Sequence, residues 1–282
     1  MEAKCILVLP NEKKDLGLAH TRRLLSLLEG RAEVFVPPEM SRALACAPIS
    51  REMLGHVQLA ITLGGDGTII SRARMLLGYH IPLLGVNLGR LGYLAQIEPE
   101  GMGQAIDQAL SGAYAIERRI LLEGHVQGKS GEIKNPFTAF NEALIHRSTA
   151  SKLLRIRLGL NGSYFERFLS DGILVATPTG STAYNLSAGG PFVQPTARNL
   201  VITAVCAHSV AARSIVSAEG DSVQLTVELD EPRAEEYALL VVDGAVLCPL
   251  RPGECVCVQQ SRQYLEIARL PGQQPPQKKL FQ

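Results

Sequence analysis

Tryptophan is absent from this chain of 282 residues, and aromatic residues make up only 5% of it. No apolar stretch approaches the length needed to span a bilayer, and the amino terminus, MEAKCILVLP followed at once by NEKKD, does not resemble a signal peptide. The formal net charge is only +1, so no global field attracts the chain to nucleic acid or to a membrane. The sequence therefore indicates a soluble cytoplasmic protein with no nucleic-acid or membrane partner.

A C-x-x-C pair is also missing from the six cysteines, which are scattered: Cys5, Cys46, Cys206, Cys248, Cys255 and Cys257. This pattern favours reduced and mostly buried thiols over a disulfide framework or a zinc site. Cys255 and Cys257 alternate around Val256, as residues on one face of a strand do.

Strand and helix patterns alternate in the first part of the chain. Buried strands are expected at CILVLP, AEVFVP, VQLAITL and IPLLGVN, with helices at Leu16 to Gly30, after GGDGT, and near Met102 to Leu110. The nearly continuous apolar strands are typical of a parallel sheet that is covered on both faces. This alternation predicts an open, doubly wound α/β domain over residues 1–111.

Short β-rich runs dominate from Ser111-Gly112 onwards, separated by turn signals such as Asn161-Gly162 and Asp243-Gly244. They predict a β-rich, sandwich-like domain over residues 112–270, interrupted by one helical stretch, STAYNLSAGG. The expected fold class is therefore α/β plus all-β. Residues 271–282 are rich in proline and glutamine, which predicts a loosely ordered tail.

The strongest local signal is Gly64-Gly65-Asp66-Gly67-Thr68, where a buried strand ends and a helix begins. Doubly wound folds bind ligands at this position, and glycines there let phosphate oxygens approach the free N–H groups of the helix. No Lys-Ser/Thr follows, so this is not a P-loop, and the spacing does not fit G-x-G-x-x-G. A carboxylate in such a loop repels phosphate unless it accepts a hydroxyl proton or holds magnesium. Alternatively, Asp66 only caps the helix.

A second signal is the polar segment TPTGSTAYNLSAGGP at residues 177–191. Its hydroxyl groups can form hydrogen bonds with ribose and amide groups, and its glycines allow a ligand to come close. Taken alone, the segment is more typical of a Ser/Thr-rich connection with a short capped helix. Asn141-Glu142 and Asp171-Gly172 are weaker, because each pair is more typical of a turn or a solvated edge.

Taken in order, GGDGT, NE, SDG and TPTGSTAYNLSAGGP resemble the NAD kinase family, and the likeness extends from the first strand to the VDG at Val242. GGDGT also occurs in diacylglycerol-type and sphingosine-type lipid kinases, whereas TPTGSTAY is much more particular to NAD kinases. LGRLGYL, from Leu88 to Leu94, matches a family element beside the nucleotide site. The resemblance implies transfer of the γ-phosphate of ATP, or of polyphosphate, to the 2′-hydroxyl of the NAD adenosine ribose. It also implies a divalent cation such as Mg²⁺ carried with ATP, no permanent metal, and a homodimer or homotetramer.

The resemblance assigns roles to individual residues. Asp66 would be the general base, Asn141 and Glu142 would hold the adenosine part of NAD, and Asp171 would lie by the nicotinamide ribose and amide. The phosphate loop would comprise Gly64, Gly65, Gly67 and Thr68. The remaining positions expected to bind the dinucleotide are Lys152, Thr182, Ala183, Tyr184, Asn185 and Ser187.

Some positions depart from the family pattern. Leu169 stands where the family often has an arginine, which removes a cation that could pair with Asp171 or the dinucleotide, and leaves the choice between NAD and NADH open. Ala245 replaces a usual glutamine, and Ala207-His208-Ser209 replaces a Pro-His-Ser run. His208 follows an apolar strand and is expected to be buried.

Two other functions remain open at this stage. A lipid or sugar kinase could share the GGDGT loop, although the chain has no obvious basic amphipathic helix for a membrane surface. A non-catalytic NAD-binding protein would be favoured if Asp66 were replaced, but Asp66 is present.

Overall fold

The computed structural model describes residues 4–89, 92–95, 97–148, 152–228 and 238–273. The chain forms two compact units, Met1–Arg118 with Leu265–Gln282, and Arg119–Tyr264. These units divide the chain after residues 118 and 264, whereas the sequence predicted boundaries after residues 111 and 270. Most of the expected tail, residues 274–282, lies outside the described residues. None of the helices within the described ranges is long and apolar enough to cross a membrane.

The first unit alternates strands and helices, as the sequence predicted. Its elements are β1 (Lys4–Pro10), α1 (Ala19–Leu28), β2 (Ala32–Val36), α2 (Pro38–Leu44), β3 (Ala47–Pro48), β4 (Leu59–Gly64), α3 (Asp66–Leu76), β5 (Leu83–Asn87) and α4 (Met102–Ser111). Single turns of 3-10 helix occur at Leu16–Leu18, Glu52–His56 and Pro99–Gly101. Helix α2 was not predicted from the sequence, although Pro38 at its first turn is pre-organised for a helix start.

The five strands of this unit pair in parallel in the order β3-β2-β1-β4-β5. The order reverses between β1 and β4, and a doubly wound sheet binds its ligand at the carboxyl ends of the strands that flank such a reversal. Apolar side chains of β1 and β4 are buried on both faces, which explains why the two strands read as continuous apolar runs. The segment Leu265–Arg269 adds beside β5 through Ile267 and Leu83.

The second unit consists almost entirely of strands. Its elements, two of which run across the unit boundary, are β6 (Ala115–Gln127), β7 (Ile133–Ala139), β8 (Glu142–Arg147), β9 (Leu154–Leu160), β10 (Ser163–Ser170), β11 (Gly172–Ala176), a 3-10 turn (Gly180–Thr182), α5 (Tyr184–Ser187), β12 (Val201–Val205), β13 (Ile215–Val216), β14 (Ser222–Glu228), β15 (Ala238–Val242), β16 (Ala245–Leu250) and β17 (Cys255–Arg269). The expected helical stretch is thus only one 3-10 turn and one short helix.

Two antiparallel sheets form this unit, with strand orders β13-β12-β11-β8-β15-β16 and β10-β9-β14-β17. One core cluster joins both sheets, since it contains Ile145 and Ile173 from the first and Ile156 and Leu225 from the second. This arrangement confirms the expected sandwich-like domain. Asn161 and Gly162 both have positive φ angles, 53° and 78°, as a tight hairpin between β9 and β10 requires.

Two expectations about burial are wrong. All six cysteines are free, but only Cys5 is buried, while Cys206 is exposed and the other four are half-buried. His208 is exposed rather than buried. His208 is exposed because β12 ends at Val205 and Cys206 takes a φ of 49°, which turns the following segment away from the strand.

Candidate functional site

Asp66 lies directly after β4, at the first residue of α3. Both of its carboxylate oxygens accept hydrogen bonds from the backbone of the segment that follows β5. Oδ2 accepts from the N–H of Tyr93 at 2.6 Å, and Oδ1 accepts from the N–H groups of Leu94 and Ala95, each at 3.0 Å. The residue before α3 is Gly65, and no side-chain capping hydrogen bond is made there. The alternative that Asp66 only caps its helix is therefore wrong, because its carboxylate binds another loop instead.

The glycines around this carboxylate have different roles. A Cβ on Gly92 would lie 2.1 Å from Oδ1 of Asp66, and a Cβ on Gly64 would lie 2.3 Å from Oγ1 of Thr68. Both glycines are therefore required by the packing of the loops themselves. A Cβ on Gly67 would meet nothing within 4 Å among the described residues, so the space beside Gly67 is open.

Lys14 is a residue of this site that the sequence analysis missed. It follows β1 in the NEKKD segment, and its ammonium lies 2.8 Å from where a Cβ of Gly65 would be, and 3.9 Å from that of Gly89. Within the described residues the ammonium has no ion-pair or hydrogen-bond partner. The same segment is attached to the GGDGT loop by Asn11, whose Nδ2 donates to Oγ1 of Thr68 at 2.8 Å. The strand reversal thus places an exposed cation over the glycine loop.

In the second unit, the Asn141-Glu142 turn is held by Asp243. The carboxylate of Asp243 accepts hydrogen bonds from the backbone N–H groups of Phe140, Asn141 and Glu142 at 2.9, 2.7 and 3.2 Å. Asp243 itself occupies the tight turn between β15 and β16, with a φ of 46°. The sequence showed the VDG motif, but it gave no sign that its aspartate organises a turn about 100 residues earlier.

The TPTG segment packs on the same turn. The hydroxyl of Thr177 donates to the carbonyl of Phe140 at 2.7 Å and accepts from the N–H of Gly180 at 2.9 Å. A Cβ on Gly180 would lie 2.1 Å from the carbonyl oxygen of Asn141, so only glycine fits there. The structure therefore brings two of the predicted motifs, NE and TPTGSTAY, into direct contact.

A buried arginine supports this segment. Arg119, which is 1% exposed, donates from Nη1 to the hydroxyl of Thr179 at 3.3 Å. Burial of a guanidinium is costly unless it is hydrogen-bonded, so this side chain is a structural support that the sequence analysis did not identify.

Glu142 is 7% exposed, and its Oε2 accepts no hydrogen bond from any described residue. Desolvation by burial, and secondarily the negative charge of Asp243, raise the pKa of Glu142 to about 7. Near neutral pH this carboxyl group is therefore divided between an ionised form, which only accepts hydrogen bonds, and a protonated form, which also donates one.

Asp171 lies at the start of β11, where its Oδ1 forms an ion pair with Nε of Arg147 at 2.6 Å. The backbone N–H of Arg147 also donates to the carbonyl of Asp171 at 2.9 Å. Leu169, which replaces the arginine of the family pattern, is 37% exposed on β10. Asp171 therefore has a cationic partner from the neighbouring strand β8, although position 169 carries a leucine.

The other residues predicted to bind a dinucleotide divide into two groups. Tyr184 and Ser187 are exposed, Thr182 and Ala183 are half-buried, and Lys152 is exposed. Asn185 differs from them, because it is completely buried.

The amide of Asn185 is used within the protein. Its Nδ2 donates to the carbonyls of Ser181 and Pro191 at 3.1 and 3.0 Å, and its Oδ1 accepts from the hydroxyl of Thr203 at 2.8 Å. This geometry makes Asn185 a structural residue of the segment, so its expected contact with a dinucleotide has no support in the structure.

Known proteins resemble the chain along nearly all of its length. Residues 21–114 match the model of the ATP-NAD kinase N-terminal domain, and residues 140–270 match that of the ATP-NAD kinase C-terminal domain. An NAD kinase of Lachnoclostridium phytofermentans is 36% identical over 274 residues, which cover 96% of this chain and 95% of that relative. An NAD kinase of Symbiobacterium thermophilum is 35% identical over 266 residues, covering 93% and 92%.

Two solved structures share the fold. Yeast NADH kinase complexed with NADH has a TM-score of 0.84 at 22% identity, covering 95% of this chain and 83% of that one. An NAD kinase from Archaeoglobus fulgidus in complex with ATP has a TM-score of 0.72 at 23% identity, covering 98% and 97%. This likeness confirms the expected fold class of an α/β part and an all-β part.

We expect Lys14→Met to weaken binding of ATP, because it removes an exposed cation beside the glycine loop. The loss should be roughly 10- to 150-fold in Kd, the size of one hydrogen bond to a charged group. Titration calorimetry with ATP measures it, and Lys13→Met is the matched control, since Lys13 is also exposed. Equal affinities of the two variants for ATP would show that Lys14 does not contribute to ATP binding.

The raised pKa of Glu142 predicts a pH-dependent stability. The contribution of Glu142 to the free energy of unfolding should be largest below its ordinary pKa of 4.5 and should be lost as the pH rises through about 7, because between these values the unfolded state ionises while the folded state keeps the proton. Glu142→Gln should remove this decline, which amounts to a change on the order of 3 kcal/mol. Urea unfolding at acidic and alkaline pH measures it, with the exposed Glu166→Gln as control. If the difference between wild type and Glu142→Gln is constant with pH, the shift is absent.

Proposed function

The chain belongs to the NAD kinase family, and from that premise we propose that Asp66 takes the proton from the adenosine ribose 2′-hydroxyl of NAD as a phosphoryl group arrives from ATP. Its position carries the proposal, since Asp66 lies at the carboxyl end of β4, beside the strand reversal and at the start of α3. NAD kinase activity itself follows from family membership. The lipid or sugar kinase and the non-catalytic binding protein therefore lose their support.

The hydrogen bonds of Asp66 leave room for this role. A carboxylate has about four acceptor positions, and backbone N–H groups fill two on Oδ1 and one on Oδ2. One acceptor position on Oδ2 is not used by the described residues. The three bonds also fix the orientation of the carboxylate, so the remaining position points in a defined direction. We infer that Oδ2 receives the ribose proton.

The surroundings of Asp66 suit a phosphate donor. The N-terminus of the eleven-residue helix α3 offers N–H groups and the positive end of its dipole, and Lys14 adds a full positive charge. Because phosphoryl transfer depends mainly on positioning and on neutralising charge, such an arrangement would hold the triphosphate without a covalent intermediate.

Magnesium would enter with ATP. Among the described residues, no group of three or more His, Cys, Asp or Glu side chains is placed to hold a metal ion. Mg²⁺ commonly keeps several waters and is bound through substrate phosphates with few protein ligands, so the phosphates of ATP would be its main ligands here. When bound, the ion would neutralise phosphate charge.

The second unit would hold the dinucleotide. Asn141 and Glu142 are presented by a turn that Asp243 fixes, and Asp171 forms an ion pair with Arg147. Thr182, Tyr184 and Ser187 keep exposed or half-buried polar groups for ribose and amide contacts. Asn185 is left out of this proposal because its amide is already satisfied.

We also propose that the chain acts in the cytoplasm as a homodimer or homotetramer. Edge strand β10 exposes Tyr164 and Phe165, which are 63% and 49% accessible, and such aromatic side chains on an edge favour association. Sedimentation at micromolar concentration should show the oligomer. A monomeric wild type would contradict the proposal. If wild type is an oligomer, Tyr164→Lys should shift it towards the monomer.

We expect Asp66→Asn to lower the rate of NADP formation from NAD and ATP by at least ~10²-fold while NAD still binds, because general-base help contributes about 10² to 10⁴-fold. An NADP-specific dehydrogenase coupled to the reaction measures the rate, with ATP and polyphosphate tested in parallel. Gly92→Ala is the companion variant, since its Cβ displaces the carboxylate without removing it.

Comparison of the two variants separates loss of the base from loss of the hydrogen bonds that order the loop. The amide group that Asp66→Asn introduces has an NH₂ that cannot accept the loop N–H groups, so hydrogen exchange at Tyr93, Leu94 and Ala95 should be compared with wild type. If Asp66→Asn keeps a rate within ~10-fold of wild type, Asp66 is not the base. If Asp66→Asn changes hydrogen exchange but not the rate of NADP formation, and Gly92→Ala remains fully active, the carboxylate of Asp66 only orders the loop.

A further inference from the structure

Cys255 and Cys257 place two free thiols side by side on β17. Val256 and Val258 of the same strand belong to the core of the second unit, so alternation along the strand directs both cysteines to the opposite face of the sheet. Their Sγ atoms are 3.9 Å apart, and both side chains are half-buried. Neither cysteine takes part in the kinase function proposed above, so the pair is a separate feature of the second unit.

The strand prevents these two thiols from forming a disulfide with each other. Residues two apart on a strand, and their Cβ atoms, are separated by about 6.6 Å. A disulfide requires Cβ atoms roughly 3.5 to 4.5 Å apart. Thr226 and Gln224 on β14 pair with the two cysteines and hold the backbone extended, so the Cβ atoms cannot approach. The pair cannot close on itself, and both sulfur atoms stay available as ligands.

The separation of the sulfur atoms fits a metal ion held between two thiolates. Zn–S bonds are about 2.3 Å long, so two sulfur ligands of one tetrahedral ion lie about 3.8 Å apart. The Sγ atoms of Cys255 and Cys257 are 3.9 Å apart, so an ion can bridge them without a shift of the backbone. Thiolate sulfur selects Zn²⁺ and softer ions, whereas Mg²⁺ prefers oxygen ligands. The magnesium that enters with ATP is therefore not a competitor at this pair.

Two clefts beside the pair leave the other coordination positions of such an ion open. Cys255 lines a cleft of about 390 Å³, and Cys257 lines another of about 520 Å³. Within the part of the chain that the structure describes, no third His, Cys, Asp or Glu side chain completes a metal group. Oε1 of Gln127 is an oxygen donor 4.0 Å from Sγ of Cys257. Water or an external ligand would fill the open positions, which makes the site exchangeable, unlike a closed structural zinc site.

The charges near Cys255 are compatible with a divalent ion. Lys129 and Arg157 line the same cleft, and Arg157 is paired with Glu228 at 3.2 Å. Cations beside a cysteine favour the thiolate form that a metal ion requires. Two thiolates cancel the charge of a divalent ion, so the bound complex is neutral and the neighbouring cations do not repel it.

We propose that Cys255 and Cys257 form an exchangeable binding site for one thiophilic divalent ion of the Zn²⁺ type. On binding, each thiol gives its proton to solvent and each sulfur donates an electron pair to the ion, so two metal–sulfur bonds form and two protons are released. No group is oxidised or reduced. The missing C-x-x-C pattern argued against a zinc site, yet this C-x-C pair brings its sulfur atoms to the separation that an ion requires.

Titration of the full-length protein with Cd²⁺ in the absence of nucleotide tests the site, because thiolate-to-cadmium charge transfer gives an ultraviolet absorbance that grows with the number of bound thiolates. Cys206 is the exposed thiol, so Cys206→Ser is the background for all samples. This protein should bind one Cd²⁺ per chain with the absorbance of two thiolates, and Zn²⁺ added first should compete. Adding Cys255→Ser or Cys257→Ser should weaken binding on the order of 10²-fold, because chelation by the second thiolate is lost.

Alkylation of the wild-type chain is a second measurement, which does not depend on any variant folding correctly. Excess Zn²⁺ should slow the reaction of iodoacetamide with both Cys255 and Cys257 by at least ~10-fold, because a metal-bound thiolate is not free to attack. The exposed Cys206 should react at an unchanged rate, and peptide mapping reads all three positions.

Three results would overturn the proposal: single-serine variants that bind Cd²⁺ as tightly as the background protein, one ion shared by two chains, or Zn²⁺ that fails to protect both thiols. NADP formation is a separate readout, so failure here leaves the kinase assignment untouched.

Discussion

In each unit one carboxylate orders a candidate functional loop by accepting backbone N–H bonds, and the residues that the loop presents depend on this interaction. Asp66 binds the N–H groups of Tyr93, Leu94 and Ala95, and Asp243 binds those of Phe140, Asn141 and Glu142. Hydrogen bonds to a charged group contribute roughly 1.5 to 3 kcal/mol each, about twice the value for neutral pairs. Loops without regular secondary structure are ordered in this way, and their side chains become available for ligands.

Asp66 illustrates how one side chain can combine structure with chemistry. A free carboxylate at the start of α3 would rotate, whereas three bonds to one loop restrict it to a single orientation. Such restriction is what a proton acceptor needs, because a misplaced reacting group costs rate steeply. The requirement for glycine at position 92 follows from the same contact, since a Cβ there would occupy the place of the carboxylate.

Asp171 is paired with Arg147 although the chain has leucine at position 169. Position 169 and position 147 lie on different strands, β10 and β8, yet a long arginine side chain from β8 reaches the same carboxylate. A guanidinium has several donors and considerable length, so its charge can be supplied from more than one backbone position. Leu169 therefore does not leave Asp171 without a cationic partner.

The sequence by itself determined the fold class, the strand and helix alternation before Ser111, the position of Asp66 at a strand end, and the family. These features depend on local periodicity, turn residues and the order of motifs, all of which are read along the chain. Only the tertiary structure showed that Lys14 lies over the GGDGT loop, that Asp243 orders the Asn141 turn, and that Asn185 points inwards. These contacts join residues far apart in sequence, for example 102 positions between Asn141 and Asp243, and depend on side-chain direction. No local pattern encodes them, because strand pairing and core packing decide which distant side chains meet.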